Sequence, residues 1–387
     1  MKIAIFTESF LPQVNGVVTS ICNSSELLSK RHDIEIFTVG SGPGRAAGCK
    51  VNRFRGLKLP TYPEYRFFVP GKSVWSRLAG KRADIVHVRS SVGFGLVALR
   101  FARKRGIPII GTFDTPISDY VHYIPVLGKI RLTKSMLSDV ALKYTTWFYN
   151  RCDVVIAPSG VAGEWLRKAG CKSKILPLSN GVDTRRFSPR KKDSKLKARL
   201  CKDGLLLLHL GRITKEKSVS VLLDAAASLK DRGTKFKLVI CGKGPALRTM
   251  KSRAKRMGLE RHVKFAGFVS DSDLPKYYAS ADIFVTASTV ETEGIVLLEA
   301  MASGVPAVGA DSGAIPEIID GSNGALFKAG DPESMADAIL KISGKRREFA
   351  RNALQSSKGF SLEKTAKRLE CIYEKAVREH DKKGKKE

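Results

Sequence analysis

Two acids eight positions apart, Glu291 and Glu299, frame one glycine, Gly294, and an otherwise apolar run that begins at Ile295 and Val296. A run apolar on every side reads as a short buried helix, here starting near Gly294. The first amides of a helix have no partner within it and lie at the positive end of its dipole, and glycine lets an anion approach the backbone. A phosphate fits there. Glu299 has no partner within its own helix, and a carboxylate inside an apolar run needs a polar ligand or a distant cation. A lone glutamate more often faces water or a lysine, but a second acid at the mouth of the same helix favours a ligand. Arg212 and Lys217 supply the complementary charge. They lie in Gly211-Arg212-Ile213-Thr214-Lys215-Glu216-Lys217, between an apolar strand at 205–210 and a helical stretch at 219–229. Two cations in such a loop can clamp a diphosphate and stabilise it as it leaves; as isolated residues they would be surface charges.

The elements that must position these groups alternate strand, glycine loop and helix twice along the chain. In the first half, a strand at 3–6, a loop with Pro12 and Asn15-Gly16, and a helix at 17–29 form one such unit. Its loop belongs at the carboxyl end of a parallel strand, where open α/β sheets bind ligands. Strands at 34–39, 83–88, 107–111, 154–158 and 175–178 follow, with helices at 92–105 and 129–151. Residues 40–48 read as a mobile glycine loop; the basic and aromatic stretch after it has a membrane-interface composition, but a solvated loop with core aromatics is the better account. In the helix at 129–151, Ile130, Leu137, Val140, Ala141, Tyr144, Trp147 and Phe148 form the face expected to pack on the sheet. The second half restarts at 205–210. Gly242-Lys243-Gly244-Pro245 and Gly267-Phe268-Val269 are turns at strand ends. Asp271 and Asp273 invite a metal reading, but they stand just before a helix, so capping is the better account. Asp331-Pro332 is a second expected helix start.

Glu291-Thr292-Glu293-Gly294 through Glu299 resembles the paired-glutamate motif of the retaining nucleotide-sugar glycosyltransferases of family four. The resemblance covers nearly the whole chain. Glu8-Ser9-Phe10-Leu11-Pro12-Gln13-Val14-Asn15-Gly16 and Thr112-Phe113-Asp114-Thr115-Pro116 through Pro125 are similar to loops of its lipid-directed members. It implies that Glu291 touches the sugar hydroxyls, that Gly294, Ile295 and Val296 hold the diphosphate, and that Glu299 binds the ribose. It makes Arg212 and Lys217 the diphosphate clamp and sets Gly16 facing the donor phosphates. Gly242 and Gly244 accommodate the nucleotide, and Val269 lies beside the base. Relatives carry His where this chain has Asp114, generally beside the transferred sugar, so the resemblance sets Asp114 with Arg212, Lys217 and Glu291 as the expected catalytic residues; they commonly have His where this chain has Arg89 and usually an acid at Lys243.

The implied fold is GT-B, two doubly wound Rossmann-like α/β domains facing across a cleft. An acceptor-side domain spans 1–182, a nucleotide-sugar domain 183–360, and 361–387 is a last helix returning to the first domain plus a charged tail. The implied reaction moves a hexose from UDP-glucose or GDP-mannose to an acceptor hydroxyl, on a membrane lipid or a glycan, with the anomeric configuration retained and with no metal or cofactor. The alternatives are an epimerase of the same fold and a nonenzymatic basic binding protein.

At 387 residues the chain is long enough for two domains, and 43% hydrophobic with 27% charged residues excludes global disorder. No apolar run reaches the 18 residues of a membrane span, and the N-terminal stretch is too short for a secretory leader. The seven cysteines show no metal spacing and read as reduced thiols of a cytoplasmic protein. The net charge of +31 is shared almost evenly by the two halves, which argues against a dedicated nucleic-acid patch. It suits a peripheral contact with an anionic membrane at the inner face of the cell.

Overall fold

The computed structural model describes residues 1–13, 15–59, 62–68, 71–114 and 134–384. The chain divides into two compact units, one formed by 1–179 with 363–387 and the other by 180–362.

The first unit is built on an eight-stranded sheet. Its strands are β1 (Lys2–Thr7), β2 (Asp33–Val39), β3 (Arg45–Ala46), β4 (Cys49–Phe54), β7 (Ile85–Val88), β8 (Ile109–Thr112), β9 (Val154–Ala157) and β10 (Lys174–Pro177); β5 (Leu57–Leu59) and β6 (Tyr62–Phe67) pair separately as a hairpin. The order is β10-β9-β8-β7-β1-β2-β4-β3, parallel except where β3 meets β4. Strands covered on both faces are apolar throughout, and their residues alternate between two cores. Ala4 and Phe6 of β1 face one, with α2 (Lys72–Ala79), α3 (Phe94–Arg105), α4 (Lys134–Tyr149) and α5 (Gly160–Lys168). Ile3 and Ile5 face the other, with α1 (Gly16–Leu28).

The second unit contains α6 (Ser194–Leu200). It is built on the strands β11 (Leu205–Leu210), β12 (Phe236–Cys241), β13 (Val263–Gly267), β14 (Ile283–Thr286), β15 (Ala307–Ala310) and β16 (Gly324–Phe327). These are all parallel in the order β13-β12-β11-β14-β15-β16. Its further helices are α7 (Val219–Asp231), α8 (Leu247–Arg256), α9 (Leu274–Ser280), α10 (Ile295–Ala302), α11 (Pro332–Gly344) and α12 (Arg346–Ser357). α13 (Leu362–Gly384) then packs Ala366, Leu369 and Tyr373 into the first unit's core beside α1. Both sheets reverse strand order once, between β1 and β7 and between β11 and β14. Such a switch point opens a crevice at the carboxyl ends of the strands.

The structure departs from the sequence expectations in several places. Residues 40–48 include β3, which turns back onto β4, and β4 enters the sheet because Cys49, Val51 and Phe54 point inward between polar neighbours. The boundary between the units lies before Asn180, not after Val182: Glu293 holds Asn180, and Val182 bridges to Ser361. α4 buries Ala141, Phe148 and Tyr149, but Val140 and Trp147, expected on the packed face, are 60% and 42% exposed. Ile130 and residues 115–125 of the lipid-directed motif lie outside the described residues. Asp331 caps α11 as expected, accepting from the Ser334 amide.

Candidate active site

The second unit's switch point brings the expected clamp and the expected glutamate motif together. Lys217 ends a short 3-10 turn after β11, and Glu291 stands in the loop after β14; their Nζ and Oε1 are 2.5 Å apart and both side chains are largely buried. Glu291 is held from behind by the Ala314 amide, which donates to its carbonyl. Arg212 remains in solvent, 63% exposed, with Glu216 at 3.9 Å.

Gly294 has φ +80°, a conformation glycine takes without strain, and it turns the loop into α10. Among the described residues no side chain accepts from the amides of Ile295 or Val296, so the start of α10 offers donors at the positive end of its dipole. Glu299, one turn further, has a partner that the sequence did not show. The Tyr278 hydroxyl, from α9, donates to its Oε2 at 2.7 Å. Burial pushes the Glu299 carboxyl up to about 7, against the pull of Tyr278 and Arg186. Arg186 is itself tied to Asp271 at 2.6 Å.

Gly242 and Gly244 have a reason of their own to be glycine. A Cβ on Gly242 would stand 1.8 Å from the Gly211 carbonyl oxygen, and one on Gly244 2.2 Å from that of Ile213. They let the loop after β12 lie against the clamp loop, which any side chain would push away. The next loop is tied in by the Gly242 amide, which donates to the Gly267 carbonyl at 2.7 Å, with Val269 half-buried beyond it. Asp273 starts α9, yet its carboxylate does not cap the helix as expected; it accepts from Ser270 and Lys276. Beneath the clamp, buried His209 donates Nδ1–H to the Val285 carbonyl, and burial lowers its pKa to about 4, so the ring is neutral.

Two residues that sequence reasoning passed over complete this region. Glu293 accepts from the Asn180 amide and from its side-chain nitrogen at 2.5 and 2.6 Å, so the turn at 180–182 is anchored beside the glutamate motif. Its only signal was its place between Glu291 and Gly294. Tyr278 had none, since a tyrosine in a short apolar helix reads as core.

In the first unit, Gly16 is the first residue of α1. A Cβ there would meet nothing within 4 Å, and Asn15 caps the helix by accepting from the Val18 amide. Arg89 and Asp114, two of the three positions that depart from the resemblance, bond to each other. Arg89 Nε and Nη2 reach Asp114 Oδ2 and Oδ1 at 2.8 and 2.7 Å, a buried two-point pair at the ends of β7 and β8, and Nη2 also meets Ser20 of α1. Next to it His87, kept neutral by burial, is bonded to Tyr373 and Thr112. Glu8, after β1, accepts from the Phe94 amide at the start of α3 and from the Ser90 hydroxyl, both at 3.0 Å.

Comparison with known proteins places the chain among described families. Residues 14–186 match the family model described as Glycosyltransferase Family 4, and residues 191–356 the one described as Glycosyl transferases group 1. The alpha-monoglucosyldiacylglycerol synthase of Streptococcus pneumoniae is 32% identical over 353 residues, which cover 88% of this chain and 78% of that protein. A GDP-mannose-dependent alpha-mannosyltransferase of Mycobacterium tuberculosis is 29% identical over 93% of each chain. The crystal structure of Anabaena HepE in complex with UDP and glucose superposes with a TM-score of 0.77 at 20% identity, covering 97% of this chain and all of that one.

Proposed function

The chain belongs to glycosyltransferase family 4, with the two parallel-sheet units of the GT-B fold, and on that premise we propose that it moves glucose or mannose from a nucleoside diphosphate sugar to a hydroxyl of a membrane lipid, retaining the anomeric configuration. The observation that carries this is the meeting, at the second unit's switch point, of Lys217 and Glu291 with the uncapped start of α10.

In this reading the diphosphate takes the amides of Ile295 and Val296, with Arg212 and Lys217 as its counter-charges. Lys217 has three donors, so it can keep Glu291 while gaining a phosphate oxygen. Glu291 is thereby held where a sugar hydroxyl can share its carboxylate, and Glu299 accepts from the ribose. As the bond from the anomeric carbon to the phosphate oxygen breaks, negative charge grows on the diphosphate, and the two cations stabilise it more than they stabilise the bound donor. The acceptor hydroxyl then attacks on the face the diphosphate leaves and gives its proton to the departing phosphate oxygen. The cations carry the charge in this reaction, so we propose that it needs neither metal nor cofactor.

One relative's name carries a glucosylated diacylglycerol, which favours a lipid acceptor, and another's carries GDP-mannose; we propose UDP-glucose or GDP-mannose as the donor. We further propose a peripheral contact with the cytoplasmic face of an anionic membrane, which a lipid acceptor and the net charge of +31 would favour. Among the described residues no helix is long and apolar enough to cross a membrane. The test is to incubate purified protein with each donor and a lipid extract, in the presence and absence of a chelator, and to read product mass and anomeric coupling. Release of nucleotide from neither donor would sink the reading, and an inverted product would remove retention.

A further inference from the structure

Seven large apolar side chains stand exposed among the described residues, and five of them fall on three neighbouring helices of the first unit. Scattered single residues would need no explanation, but a cluster of this kind marks a contact surface. α3, α4 and α5 follow one another along the strand order β7-β8-β9-β10 and bury their inner faces in one core. Their outer faces show Leu96 on α3, Val140 and Trp147 on α4, and Val161 and Trp165 on α5. Val140, Lys143 and Trp147 share one helical stripe, as do Val161, Trp165 and Lys168.

The charge around these residues has one dominant sign. Exposed Arg100, Arg103 and Lys104 lie on α3, Lys143 on α4, and Arg167 and Lys168 on α5; Asp139 and Glu164 are the exposed acids of α4 and α5. The tryptophans are held in place rather than loose. Trp147 stacks on Tyr144 at 5.7 Å with the Arg151 guanidinium 3.9 Å over its ring, and Trp165 stacks on Phe113 at 5.5 Å. Rigid, half-exposed indoles with cations beside them suit the boundary layer of a bilayer, where the ring meets acyl chains, its N–H stays wet and the cations meet lipid phosphates.

We infer that the outer face of α3, α4 and α5 docks on an anionic lipid bilayer, with Trp147 and Trp165 at headgroup depth. This rests on the lipid-acceptor reading and says which face of the first unit meets the lipid.

The third tryptophan, Trp75, lies under Arg100 at 5.0 Å, so a Trp75→Phe background leaves Trp147 and Trp165 as the fluorescent reporters. With vesicles of phosphatidylcholine and phosphatidylglycerol carrying brominated chains, both indoles should be quenched, and salt should reverse the effect. Trp147→Ser with Trp165→Ser should weaken vesicle binding about tenfold or more. Lys143→Ala with Lys168→Ala should weaken it about 25-fold, roughly fivefold per charge. Nucleoside diphosphate binding of each variant should stay at the wild-type value, and each should still unfold in one cooperative transition. If the wild type binds these vesicles while its indoles stay unquenched and the variants bind equally well, the lipid meets another face: the inference falls and the lipid reading stands. Wild-type protein that ignores vesicles of every composition would sink both. Burial of the indoles by self-association without lipid would assign the face to a second copy of the chain and overturn the inference.

Discussion

The two units reverse their strand order at corresponding points, and each sends a side chain across the gap, but the crossing charges are opposite. In the first unit the loop after β1 sends Glu8, whose carboxylate occupies the start of α3 by accepting from the Phe94 amide. In the second unit the loop after β11 sends Lys217, which stops at Glu291 and leaves the start of α10 without a side-chain cap. The same topology thus makes two helix starts that favour an anion, one filled by the protein's own carboxylate and one without a side-chain acceptor, where we propose the diphosphate binds. The neighbouring ion pairs differ in the same sense. Arg89–Asp114 is a buried two-point pair with its nitrogens and oxygens already engaged, whereas Lys217 keeps donors to spare and Arg212 stands in solvent. One unit is closed by its charges and the other is poised to exchange them.

The largest test of this contrast is to break the closed pair. Arg89→Ala should lower the free energy of unfolding by about 3–5 kcal/mol, because it strands the Asp114 carboxylate in a buried place, and Arg89→Met with Asp114→Leu should recover most of that loss in a denaturant titration. A cost no greater than that of a surface pair would remove the contrast. On the open side, Lys217→Ala and Arg212→Ala should each lower turnover by at least about 100-fold, near 2.7 kcal/mol. Lys217 should matter more because its loss also strands Glu291, and steady-state rates for both variants decide the matter.

Glu8→Ala should cost about 1–3 kcal/mol, since the Phe94 amide loses its acceptor. If the comparison holds, the variant should also gain an anion site, so that sulfate raises its melting temperature more than it raises that of the wild type. The smallest effect concerns Glu299. Its pKa is raised from 4.5 to about 7, so the folded protein holds this proton more tightly than the unfolded chain does. The contribution to stability is therefore present below about pH 4.5 and lost as pH rises through about 7. The same rise produces the carboxylate that can accept ribose hydroxyls. Nucleotide affinity measured by calorimetry should climb between about pH 6 and 8 in the wild type, while Glu299→Gln should bind about tenfold more weakly at the upper end and lose the climb.

Much of this was legible in residue order. Apolar runs punctuated by glycine mark both sheets because parallel strands covered on both faces must be apolar throughout. Arg212, Lys217, Glu291 and Gly294 stood out because charges beside a strand end and a helix start have few structural uses. β3 and β4 were missed because the glycine-rich stretch from Gly40 to Gly48 looks like a loop until Cys49, Val51 and Phe54 are seen to turn inward. α4 was given too wide a packed face because its spacing alone does not say how broad a stripe the sheet covers.

By itself the sequence determined the class of fold and the family, and it singled out the loops proposed to carry the chemistry, since each rests on local pattern or short spacing. Only the tertiary structure decided which groups meet. Lys217 and Glu291 are 74 residues apart, Glu8 and Phe94 are 86 apart, and Tyr278 reaches Glu299 from another helix. Arg89 and Asp114 look like two separate departures in the sequence and prove to be one ion pair. Partnership across such separations depends on strand order and on how closely loops can approach. Gly242 and Gly244 show the reason, since their missing side chains serve the contact between two loops that the chain keeps about thirty residues apart.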